Sequence, residues 1–87
     1  MDDKRYNRCL AIREMMKNPL WEEAVMQVNN DIQREAMATK PEEKRLREDL
    51  YSEHVALGRL LGRLYELGNE ATVIEEKVER VKQHVSQ

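Results

Sequence analysis

Cys9, His54 and His84 are the side chains of this 87-residue sequence with the chemistry of a nucleophile, a proton shuttle or a metal ligand. A helical metal site needs a second ligand one turn away, and neither histidine has one at a spacing of four. His54 has Glu53 and Tyr51 beside it and falls at the edge of a leucine-rich stripe. It is expected to be a partly buried structural histidine, able at most to sense pH at an interface. His84 lies near the C-terminus, where helix ends fray. Cys9 has Arg5, Arg8 and Arg13 close by in sequence, but no histidine–carboxylate arrangement to generate a thiolate, so it reads as a small buried apolar group. The carboxylates Glu42, Glu43, Glu48 and Asp49 fall in the opening turns of a helix. There they complement the dipole and pair with Lys44, Arg45 and Arg47, forming a solvated face. The sequence has no phosphate-binding glycine loop, Cys-x-x-Cys pair, His-Glu-x-x-His or serine elbow. These residues imply no catalytic site, no metal site and no cofactor, and the chain is read as not being an enzyme.

Composition narrows the classes further. Charged residues make up 37% and aromatics 5%, phenylalanine is absent, and two prolines and three glycines punctuate the chain. That profile belongs to long amphipathic helices in an all-α protein. A formal charge of −2 gives no global basic field for nucleic acid or an anionic membrane. No stretch approaches the roughly 20 apolar residues of a membrane span, and the N-terminus Met1-Asp2-Asp3-Lys4-Arg5 is charged. With one cysteine there is no intramolecular disulfide, so a cytoplasmic, untargeted protein is expected.

Three capping signals divide the chain into four helical segments of one domain: an N-terminal helix (1–17), a helical hairpin (18–68) and a C-terminal heptad helix (69–87). Asn18-Pro19 supplies an N-cap followed by proline at the first helical position. Thr39 and Glu42 have capping-box spacing, which predicts a helix start near Lys40 or Pro41. Gly68-Asn69 can close one helix and cap the next, although a lone glycine costs only about 1 kcal/mol and the helix could run through it. Trp21, Val25, Val28, Ile32 and Ala36 form one apolar stripe. Leu46, Leu50, Leu57, Leu60, Leu61, Leu64 and Leu67 form another. The short connection between them predicts an antiparallel hairpin of helices at about 19–38 and 41–67, closed stripe to stripe. The first segment carries Tyr6, Cys9, Leu10, Ile12 and Met16 on a broad arc and is expected to fold back onto the hairpin.

The leucine-rich segment has a second stripe. Tyr51, Val55, Gly58, Gly62 and Tyr65 recur at steps of four, three, four and three, roughly 100° or more from the leucine seam. Each internal glycine costs about 1 kcal/mol of helix propensity, a penalty tolerated where another backbone must come close, so a second helix is expected to cross there. It would come from segment one, segment four or another copy of the chain. Ile74, Val78, Val81 and Val85 follow a heptad seam flanked by Glu75, Glu76, Lys77, Glu79, Arg80 and Lys82. Being short and β-branched, that seam needs a partner, and completion as an oligomeric bundle is expected. Met15, Met26 and Met37 lie off the apolar arcs and add adaptable surface.

The stretch from Asn18 to Gly68 resembles a type of short helical protein of tailed bacteriophages. The resemblance rests on Asn18-Pro19-Leu20, the Thr39-Lys40-Pro41-Glu42-Glu43 turn, Arg47-Glu48-Asp49-Leu50-Tyr51 and a leucine-rich helix ending at glycine; Lys40 departs from the simpler turn. It implies a phage origin, the bacterial host cytoplasm as the location, and a role as assembly accessory or as inhibitor of a host protein. The expected function is therefore a protein–protein interaction module, homo-oligomeric and engaging a host or phage protein. A nucleic-acid-binding regulator is the alternative, since Lys4, Arg5, Arg8 and Arg13 are locally basic, although each basic cluster is interleaved with acids. The helical chorismate mutases are a poorer fit, because Arg45, Arg59 and Arg63 fall off the leucine seam.

Overall fold

The computed structural model describes residues 3–86. These form three α-helices, α1 (Asp3–Lys17), α2 (Pro19–Met37) and α3 (Lys44–Ser86), with no strand among the described residues. None of these helices is long and apolar enough to cross a membrane.

The first boundary follows its capping chemistry. Asn18 is extended (φ −68°, ψ 125°), its side-chain oxygen accepts the Leu20 N–H at 2.9 Å, and Pro19 opens α2.

The second boundary differs from expectation. α3 starts at Lys44 rather than near Pro41, because residues 40–43 close a β-turn in which Glu43 N–H donates to the Lys40 carbonyl at 2.9 Å. Proline at the second position suits such a turn. Thr39 does not cap α3: its hydroxyl donates back to the Ala36 carbonyl at 2.7 Å. The reaching carboxylate belongs to Glu43, which accepts the Lys40 N–H at 2.8 Å. Arg47 then donates to the Lys40 and Pro41 carbonyls at 2.6 and 3.2 Å and ties the turn to the first turns of α3.

The third boundary does not exist. α3 is one helix of 43 residues, and Gly68 is helical and buried within it. The expected separate C-terminal helix at 69–87 is the continuation of α3. As a result the leucine stripe and the valine seam share one register, from Leu46 to Val85, broken only by Glu53.

The chain divides into two compact units, the division along α3 falling at Gly62/Arg63. One unit runs Asn18–Gly62 and holds α2 with the first part of α3. Ile32 and Leu50 are its buried apolar side chains, with Trp21, Val25, Ala36, Leu57 and Leu61 half-buried around them. The stripes are covered only in part, since Val28, Leu46 and Leu60 remain exposed.

The other unit pairs α1 with α3 from Arg63 onward. Segment one was expected on the hairpin. It packs along α3 from Arg63 onward, against the end of the hairpin segment at Gly68 and against the residues beyond it. Cys9 and Ala71 are buried there, and Tyr6, Leu10, Ile12 and Met16 are half-buried. Asp3 and Tyr6 lie beside Val78 and Lys82 while Met16 and Lys17 lie beside Tyr65 and Gly68, so the two helices run in opposite directions.

Candidate functional site

Two features stand out, a polar clasp inside the α1–α3 unit and an uncovered apolar stripe in the α2–α3 unit.

The clasp is built by one face of α1 on Glu70, Thr72 and Glu75 of α3. Arg13 makes a bidentate contact with Glu75, Nη1 donating to Oε1 at 2.7 Å and Nη2 to Oε2 at 2.8 Å, and Nη1 also donates to Thr72 Oγ1 at 3.0 Å. The Tyr6 hydroxyl donates to Glu75 Oε2 at 2.6 Å. One turn away, Arg5 Nε donates to Glu70 Oε1 at 2.6 Å, and the Cys9 thiol donates to Glu70 Oε2 at 3.5 Å. Buried Arg13 Nε has no hydrogen-bond partner, and Glu14 Oε1 at 3.7 Å is close enough only for ion pairing.

Electrostatics follow from this geometry. Hydrogen bonds from Arg13 and then Tyr6 lower the Glu75 carboxyl to about 2. The bond to Glu75 raises the Tyr6 hydroxyl, and Arg13 is raised by the same carboxylate. Burial, and then the bond to Glu70, raise the Cys9 thiol. At neutral pH Glu75 is therefore ionised, Tyr6 and Cys9 protonated and Arg13 charged, a combination that suits ion pairing rather than proton transfer or thiolate attack.

This cluster joins residues far apart in the chain, and the sequence reading missed it. Glu75 had been placed among the flanking charges of a seam and Arg13 in a locally basic patch. The available signal was an acid beside an apolar register, together with a glycine one to two turns before it.

The expected interaction residues fall into two groups. Tyr51 and Val55 are 69% and 41% exposed, and Gly58 and Gly62 are open: a Cβ built on either would meet nothing within 4 Å. A close helix crossing occurs at Gly68, where a Cβ would lie 3.3 Å from the Arg13 Cα. Tyr65, in the α1–α3 unit, is 68% exposed. In the C-terminal seam Ile74 and Val78 are half-buried, whereas Val81 and Val85 are exposed.

His54 and His84 are both exposed; His54 is not the partly buried group expected at the seam edge. Among the described residues, no three histidine, cysteine or acidic side chains gather as a metal-binding group. Met15, Met26 and Met37 are exposed, as is Leu20.

No family model, curated protein or solved structure matches this chain.

Proposed function

We propose that this chain is a non-enzymatic protein–protein interaction module that associates with copies of itself, α2 and the first part of α3 closing as an antiparallel hairpin within a bundle shared between chains. The supporting observation is the stripe of Tyr51, Val55, Gly58 and Gly62, a solvent-facing apolar surface with two helix-weakening glycines at its centre. A glycine pair one turn apart lets a second helix approach closely, and tyrosine and valine beside it supply contact area. The same device operates at Gly68, where this chain brings one helix backbone against another. Unsatisfied apolar surface of this kind marks an interaction site.

The occupant proposed here is a second copy, with the two stripes crossing at their glycines. The resemblance over residues 18–68 supports a setting in a bacteriophage-infected host cell, with the assembled bundle acting as an assembly accessory or on a host protein. A Gly58→Leu variant would fill the crossing point and weaken association through this stripe, lowering the average mass, while isolated helicity is kept or raised. Light scattering on the wild-type and variant chains at micromolar concentration tests this, and equal masses for the two would refute it.

Nucleic-acid binding is the second reading. The pairing of Arg5 with Glu70 and of Arg13 with Glu75 weighs against it, because two cations of the basic N-terminal cluster already face carboxylates. Anisotropy with labelled DNA and RNA at low salt decides: salt-sensitive binding would favour the regulator.

A further inference from the structure

The C-terminal seam of α3 is half covered in its own chain. Ala71 is fully covered, and Ile74 and Val78 are half-buried beside Asp3 and Tyr6 of α1. Further along the same register, Val81 and Val85 are 62% and 77% exposed. Four β-branched residues at heptad spacing, two of them bare, make a surface suited to another helix of the same kind.

The flanking charges select the direction of that helix. Glu70 and Lys77 line one side of the seam, and Glu75 and Lys82 the other. In a parallel pair each side faces the opposite side one step further along, which sets Glu70 against Glu75 and Lys77 against Lys82, like against like. In an antiparallel pair centred between Val78 and Val81, Val78 meets Val81, Ile74 meets Val85, and Glu75 meets Lys82 at two symmetric places. Charge complementarity therefore favours the antiparallel pair and penalises the parallel one.

We infer that the C-terminal part of α3 docks antiparallel on the same segment of a second copy, through Ile74, Val78, Val81 and Val85 with Glu75–Lys82 contacts on the flanks, and that α1 competes with that copy for the seam. This deepens the self-association proposed above, but at a surface separate from the glycine stripe. The competition follows from Glu75, whose carboxylate is occupied by Arg13 and Tyr6 while α1 is docked. Releasing α1 frees Glu75 for Lys82 of the second copy and uncovers Ile74 and Val78 together. The clasp thereby sets how much of the seam is available.

One substitution separates the two directions. Lys82→Glu places Glu75 against an acid in the antiparallel pair and is expected to weaken association by about tenfold. In a parallel pair it would instead face Lys77 and strengthen association. Arg13→Gln, which opens the clasp, is expected to tighten association several-fold, and Val81→Glu in the same chain should cancel that gain. Sedimentation equilibrium of the full-length chains reads the association, with circular dichroism confirming helicity. If Arg13→Gln unfolds the chain, Tyr6→Phe supplies the milder opening.

Unchanged or tighter association of Lys82→Glu overturns the antiparallel docking. Unchanged association on opening the clasp overturns the competition. The stripe reading fails separately: association lost in Lys82→Glu but intact in Gly58→Leu leaves the seam and refutes the stripe, and the reverse pattern refutes the seam.

Discussion

Gly68 of α3 lies against the backbone of Arg13 on α1, so close that a single added carbon would stand 3.3 Å from the Arg13 Cα. That approach lets the Arg13 guanidinium reach across to Glu75 and Thr72. A leucine at position 68 would bring its Cβ to 3.3 Å from the Arg13 Cα, tighter than ordinary contact, and would push α1 away. Gly68→Leu is expected to destabilise the chain by about 1–3 kcal/mol, typical of overpacking. Hydrogen exchange should show α1 amides losing protection while those of α2 keep theirs.

Gly58 and Gly62 should behave in the opposite way in dilute monomer. Nothing lies within 4 Å of a Cβ on either, so alanine there gains helix propensity without a clash. Gly58→Ala and Gly62→Ala are each expected to stabilise by up to about 1 kcal/mol, read by thermal melts at low concentration.

Acid should open the clasp. The Glu75 carboxyl is held at about 2, below its ordinary 4.5, by Arg13 and Tyr6, with Lys17 adding a weaker attraction. A carboxyl with a lowered folded value contributes stability that is full above its unfolded value and is lost as pH falls toward the folded one. The contribution should fade between about pH 4.5 and 2 and be absent from Glu75→Gln, whose melting temperature should change less with pH across that window. Matching acid profiles in the two proteins would contradict the assignment.

Leu50 is the most buried large side chain of the α2–α3 unit, at 3% exposure. Leu50→Ala should cost about 2–4 kcal/mol. Leu46→Ala, on the same stripe but 44% exposed, should cost clearly less. Urea melts of the two variants check the contrast.

These contrasts show what was legible in the sequence. The all-helical fold, the Asn18-Pro19 cap and the exposure of Met15, Met26 and Met37 follow from local chemistry and periodicity, and all could be read in advance. The start of α3 was misplaced because Pro41 fits both a first helical turn and the β-turn it occupies, and only the Glu43–Lys40 hydrogen bonds separate the two. Gly68 left the boundary open between a break and a continuous helix, because glycine closes helices as readily as it admits a neighbouring backbone. The clasp between Tyr6, Arg13 and Glu75 depends on where α1 docks, a non-local choice that a weakly amphipathic helix does not announce.

Sedimentation equilibrium of the full chain, over about 1–100 µM, tests the central claim of self-association at the micromolar affinities of modest helical interfaces. The expected result is a reversible shift from monomer to dimer or larger species, weakened in Gly58→Leu while helicity is retained. A single monomeric mass across the whole range, with a cooperative melt, would contradict it.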